Sequence, residues 1–144
     1  MKLFVENIEQ IIIILVSIIT AILGYITGRK HQLFLEKRSR LMERYQNLYA
    51  PFEKLYLKVC TGAFYFTDLP IDIQEQFLSI LYNNYEYTDS KLKNLIYEFR
   101  CNYYGNDIDI EVANLKFYEI ASQISSQFHK LGNKLYFEGY KLND

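Results

Sequence analysis

The sequence predicts an all-α protein: one N-terminal transmembrane helix continuing into a cytoplasmic α-helical bundle. Three observations predict it. An uncharged apolar run near the N-terminus is long enough to cross a bilayer. Further on, apolar residues recur at helical spacing in several successive segments. Pro occurs twice and Gly six times, which leaves little room for hairpin turns. The organisation expected is residues 1–28 as N-terminal tail and transmembrane helix, 29–50 as a basic juxtamembrane helix, and 51–144 as the cytoplasmic domain.

The first element is the anchor. Ile11 to Ile26 is sixteen residues without a charge, about 24 Å of helix at 1.5 Å per residue. Extending the run from Ile8 to Thr27 brings it to about 30 Å, the hydrocarbon thickness of a bilayer. The residues before it carry Lys2 against Glu6 and Glu9. That is a poor basic region for a cleaved signal peptide, and no Ala-x-Ala site follows. A retained anchor is expected. Its C-terminal flank holds Arg29, Lys30, Lys37, Arg38, Arg40 and Arg44 against Glu36 and Glu43. The basic side stays in the cytoplasm, so the N-terminus is expected outside a bacterial inner membrane and residues 28–144 inside.

One face of this helix is made of small residues. At 100° per residue, Ser17, Thr20, Ala21, Gly24 and Gly28 fall within an arc of about 100°. Toward the N-terminus the stripe meets Gln10 and Glu6. The other faces carry Ile, Leu, Val or Tyr. Small residues let a second helix approach, and hydroxyls can bond across, so homo-oligomerisation through the helix is expected. Arg29 and Lys30 are expected at the lipid headgroups. The wider basic run mainly fixes orientation.

No Pro or Gly interrupts Arg29 to Ala50, so the helix is expected to run on to Ala50-Pro51 and to kink or restart there. Leu41, Tyr45, Leu48, Phe52, Leu55, Val59 and Ala63 form a packing seam. After the break at Asp68-Leu69-Pro70, Asp72 and Glu75 have capping-box spacing, with Ile73, Phe77, Ile80 and Leu81 facing inward. Asn83-Asn84 ends that helix. Thr88-Asp89-Ser90 offers the next cap, ahead of Leu92, Leu95, Ile96, Phe99 and Tyr103. Gly105-Asn106-Asp107 reads as a turn. The alternating stretch 107–112 is strand-like, but an acidic helix N-terminus suits it better. Ile110, Ala113, Phe117, Ile120, Ile124, Phe128 and Leu131 then form the stripe of a long last helix, which Gly132-Asn133 is expected to stop or loosen.

Composition bounds the function. Half the chain is hydrophobic, yet its formal net charge is -1. Collagen-like, disordered, disulfide-rich and globally basic nucleic-acid-binding chains are excluded. Lys, Ile, Asn, Tyr and Phe fill 62 positions, and Ala, Arg, Gly and Pro fill 18. That skew follows AT-rich codons and points to an AT-rich bacterium or its phage. It also offers a plain reading of the 14 Tyr, many of them as core and boundary residues rather than as an aromatic binding surface. The charge divides into -1 over residues 1–28, +4 over 29–44 and -4 over 45–144. A basic collar therefore sits beside an acidic domain.

The residues carry no recognised chemistry. Walker A, dinucleotide-binding, nucleophile-elbow and zinc-protease motifs are all missing. Asp107, Asp109 and Glu111 lack the Gly and closing Glu of a calcium loop. Cys60 and Cys101 stand outside any Cys-x-x-Cys pair and are expected to be buried thiols. A Cys–His nucleophile would have to pair one of them with His129. Neither enzyme activity, cofactor nor metal is expected.

Phe34-Leu35-Glu36-Lys37-Arg38, followed by Tyr45 and Tyr49-Ala50-Pro51-Phe52, resembles small bacterial and prophage single-pass membrane proteins. These have an N-terminal anchor, a juxtamembrane stretch of this kind and then helices. The resemblance covers about residues 8–60. It implies a membrane-tethered helical module, often in a prophage or host-defence setting, and brings no catalytic residues with it. The function expected is an oligomerising interaction or regulatory module at the cytoplasmic membrane face. Its partners would be lipid, further copies of the chain and a protein still to be identified, without nucleic acid. A pore-forming or holin-like effector is the alternative.

Overall fold

A computed structural model describes residues 2–59, 65–105 and 108–140, and every regular element among them is helical. Helix α1 spans Lys2–Arg44. A π-helical segment follows at Tyr45–Tyr49, then α2 at Ala50–Val59. A 3₁₀ turn, Phe66–Asp68, precedes α3 at Ile71–Asn83. A second turn, Tyr85–Tyr87, precedes α4 at Ser90–Tyr104, and α5 covers Ile110–Tyr140. The chain divides into two compact units, Met1–Ser39 and Arg40–Asp144.

The π segment is where sequence and structure first differ. The helix was expected to stay regular up to Pro51. Instead the ladder widens one turn earlier, and the Ala50 N–H donates to the Tyr45 carbonyl five residues back. A proline in a regular helix clashes with the carbonyl four residues before it. Widening the turn ahead of Pro51 relieves that conflict and lets α2 proceed.

The second unit has a core built around one ring. Phe117 of α5 lies 4.5 Å from Phe66, 5.2 Å from Phe77, 6.0 Å from Phe99 and 6.2 Å from Phe52, centroid to centroid. Those rings come from the first 3₁₀ turn, α3, α4 and α2. Each is almost fully buried, and aromatic pairs at such distances add about 0.5–1.5 kcal/mol beyond burial. Leu48, Tyr49, Leu81, Leu92, Ile120 and Ile124 complete the centre. Helices α4 and α5 run antiparallel, clasped by Lys116, whose Nζ is 2.9 Å from Glu98 and 3.1 Å from Glu119.

Several local expectations are corrected. Asp72 and Glu75 form no capping box: α3 begins at Ile71, and the Pro70 carbonyl accepts from Ile73 and Gln74. Pro70 already holds the extended backbone a cap residue needs, so the helix starts one position too early for Asp72 to cap it. Gly132-Asn133 does not stop α5, because Leu131 and Leu135 are buried on either side and carry the helix through to Tyr140. Ile110 is exposed rather than facing inward, since it opens the first turn of α5 ahead of the packed stripe. Asp89 does cap α4, accepting from Leu92 at 2.8 Å. Asp109 does the same for α5, accepting from Val112 at 3.0 Å. Ala63 and Asp107 lie outside the described residues.

Candidate membrane interface

The apolar run lies entirely within α1. Its best window has a mean hydropathy of 2.5, and none of that window is buried against the rest of the chain. This is one helix long and apolar enough to cross a membrane. A helix suits such a medium because its backbone groups pair within the segment.

The polar side chains in the run are satisfied locally. Ser17 Oγ donates to the Ile13 carbonyl and Thr20 Oγ1 to the Val16 carbonyl, both at 2.8 Å. Thr27 does the same with Leu23 at 2.8 Å. Each hydroxyl hydrogen is thus spent inside its own helix. What Ser17 and Thr20 offer a neighbour is small size and a remaining lone pair. An added Cβ at Gly24 or Gly28 would meet nothing within 4 Å. With Ala21, these residues lie along one open face of α1.

Beyond the stripe, Arg29, Lys30, Lys37 and Arg40 are exposed, and Arg38 is half-buried. Arg44 is different. Its Nε donates to the Tyr87 carbonyl at 2.9 Å, and its terminal nitrogen to the Tyr49 hydroxyl at 3.2 Å. Arg44 therefore holds the domain's first turns to the loop before α4, and its charge is taken out of the basic collar. Burial raises the Tyr49 phenol above its usual value, with the Arg44 contact opposing the shift.

The domain's buried polar groups escaped the sequence reading. Gln74 Nε2 donates to the Leu69 carbonyl at 2.7 Å, and its Oε1 accepts from the Tyr103 hydroxyl at 2.7 Å. Asn114 and Thr67 exchange two bonds: the Thr67 N–H to Asn114 Oδ1 at 3.2 Å, and Asn114 Nδ2 to Thr67 Oγ1 at 3.1 Å. Together they fasten the segment around residues 66–69 to α3, α4 and α5. Glu53 of α2 is buried and accepts from Ser125 of α5 at 3.0 Å through Oε1, while Oε2 has no hydrogen-bond partner. The helical stripes gave no signal for these residues, because a polar side chain between apolar ones reads as surface.

Chemistry finds little to assemble. Among the described residues no group of three His, Cys, Asp or Glu side chains comes together. Cys101, expected to be buried, is exposed. It sits one turn beyond Tyr97, away from the inward Ile96, Phe99 and Tyr103. His129 lies 13 residues beyond Lys116, about 20 Å along α5, while Cys101 lies on the other side of the Glu98–Lys116 clasp. They do not form a dyad. Cys60 falls outside the described residues.

Several open grooves mark the domain surface, among them two with tyrosine on their walls. One, of about 650 Å³, runs along the start of α5 past Tyr65, Thr67, Glu111, Asn114 and Leu115. The other, of about 360 Å³, is lined by Tyr82, Tyr85, Ile96, Tyr97 and Arg100. Burial raises the phenols of Tyr82 and Tyr104 above their usual value.

No protein family, curated protein or solved structure matches the chain.

Proposed function

We propose that the chain is a single-pass membrane-anchored protein. Its helical domain acts as an oligomerising interaction or regulatory module at the cytoplasmic face of a bacterial inner membrane. One observation carries the reading: the most apolar stretch of the chain buries none of its surface in the fold, while a separate unit closes its own aromatic core. Apolar surface on that scale is stable in lipid and a liability in water.

The flanking charge supports an outside N-terminus and a cytoplasmic domain. Arg29 and Lys30 would meet the headgroups, and the Ser17, Thr20, Ala21, Gly24 and Gly28 stripe would meet a second copy. The prophage or defence setting rests on the resemblance of residues 8–60. The module has no catalytic role, cofactor or metal in this reading, and it leaves nucleic acid alone.

Paired fusions at the C-terminus test it. A fluorescent protein there should glow, and alkaline phosphatase should be inactive. The reverse pair of results would invert the topology, and extraction of the chain by alkaline carbonate would end the anchor reading. The holin-like alternative uses the same stripe with Gln10 at its end. It requires loss of membrane potential on controlled expression.

A further inference from the structure

The π turn at Tyr45–Tyr49 changes which side of the following helix faces the core. In a plain helix the spacing of Leu48, Phe52, Leu55 and Val59 puts them on one inward face. A turn closed five residues back takes one residue more, so everything after it is set back by about one residue, about 100°. Burial shows the effect. Ahead of the turn's end, Tyr45 is half-buried and its neighbour Gln46 exposed. From Leu48 onward the second member of each pair is drawn in as well. Tyr49 beside Leu48 is 0% exposed, Glu53 beside Phe52 is 5% exposed, and Tyr56 beside Leu55 packs on the core.

For Glu53 the change is a poor one. Oε1 accepts from Ser125 at 3.0 Å, but Oε2 is buried without a hydrogen-bond partner, a cost that exposure to water removes. Three features hold the turn against that cost. In a plain helix the Pro51 ring clashes with the Asn47 carbonyl, four residues back. Tyr45 stacks on Phe128 of α5 at 5.2 Å. Arg44 bonds to the Tyr87 carbonyl and the Tyr49 hydroxyl, its guanidinium carbon 5.9 Å from the centre of the Tyr49 ring. The upstream side is thus pinned at Arg44 and Tyr45, and α2 is the part left to turn.

We propose that the π turn is a register switch with Arg44 as its latch. In the second register residues 41–59 form one regular helix. Leu48, Phe52, Leu55 and Val59 stay inward, Tyr49 leaves Arg44, and Glu53 leaves Ser125 for water. Each register spares a cost that the other carries, which makes the element bistable. The input is a pull or twist on α1, which ends at Arg44. The output is a carboxylate newly exposed on α2. Any force on α1 serves, so the switch stands whether or not α1 crosses a bilayer.

The test uses the full chain in proteoliposomes. A carbodiimide with glycine ethyl ester amidates accessible carboxylates, and mass spectrometry reads Glu53 against the exposed Glu111. In the unaltered chain Glu53 should be protected. Pro51→Ala removes the clash and should raise its labelling by about tenfold. Arg44→Met opens the latch but keeps the proline, and should raise it by about threefold. Asn47 is exposed in the middle of the turn. Deleting it from the Pro51→Ala chain takes out the extra residue, so a plain helix then carries Glu53 on its inward side. Protection should return.

Full protection of Glu53 in Pro51→Ala would mean that packing alone sets the π turn and that no second register exists, which would overturn the proposal. Unchanged protection in Arg44→Met would do the same for the latch. Labelling that rises in Pro51→Ala and stays high after the deletion would show that the proline only holds the fold together, and would also overturn it. Carbonate extraction of the same samples reports on the anchor separately, and its result leaves the Glu53 pattern untouched.

Discussion

Arg44 shows how one side chain can be read correctly for charge and wrongly for place. In sequence it is the last of six basic residues flanking an apolar run. In the fold it donates to Tyr87 and Tyr49. Nothing local predicts this, because the Tyr87 carbonyl is 43 residues away in sequence. The same pair makes a pH prediction. Burial raises the Tyr49 phenol above about 10, its ordinary value. A group with a raised native value adds stability that is fully present below the unfolded pKa and lost as pH rises through the folded one. Domain stability, followed by tyrosine circular dichroism, should therefore fall above about pH 10, and Tyr49→Phe should make that fall shallower. Phe117 sets the larger number. Phe117→Ala removes the ring that four others touch and should cost about 3–5 kcal/mol in denaturant titrations.

At the scale of elements, periods were legible, whereas caps and interruptions were legible only in part: Asp72 and Glu75 have the spacing of a capping box and do not form one. The stripes of α3, α4 and α5 could be read because a 3.6-residue period survives any neighbour. Asp89 was legible as a cap because its bond closes within three residues. Gly132 misled, since its propensity to end a helix is worth about 1 kcal/mol and burial of Leu131 and Leu135 outweighs it. A Cβ there would lie 3.6 Å from the Tyr45 ring, an ordinary contact. Gly132→Ala should therefore stabilise the domain by about 0.5–1 kcal/mol, seen as a higher melting temperature. In α1 the small stripe was legible because its backbone is a plain helix. What meets the stripe was not, because Ser17 and Thr20 already bond to their own turns. Gly24→Ile should reduce self-association of the membrane segment if two helices approach there, as measured by energy transfer in vesicles.

For the whole molecule, the neutral average charge conceals opposed parts, and the boundary between the two compact units falls inside the basic collar, at Ser39–Arg40. Each is held by a different solvent effect. The domain depends on water to drive its rings together. Helix α1 in lipid would depend on the absence of any other partner for its backbone. Heating in proteoliposomes should therefore remove the domain's tyrosine signal in one cooperative step while part of the far-ultraviolet helical signal persists. A single transition that abolishes both would contradict this. The long apolar helix was legible because its signal lies in composition alone. The buried polar ties at Gln74, Asn114 and Glu53 were not, because each depends on which helix arrives opposite.

Order of arrival matters during synthesis as well. The ring that closes the core belongs to α5, whereas Phe52, Phe66, Phe77 and Phe99 all precede it in the chain. At about 5–20 residues per second, ~65 residues separate Phe52 from Phe117 by about 3 to 13 seconds. By the end of that interval the nascent domain has four rings and no hub to join them, so it is most exposed to chaperones and proteases just before α5 is complete. A ribosome stalled ahead of residue 117 should carry a protease-sensitive chain, and one stalled well beyond α5 a resistant one.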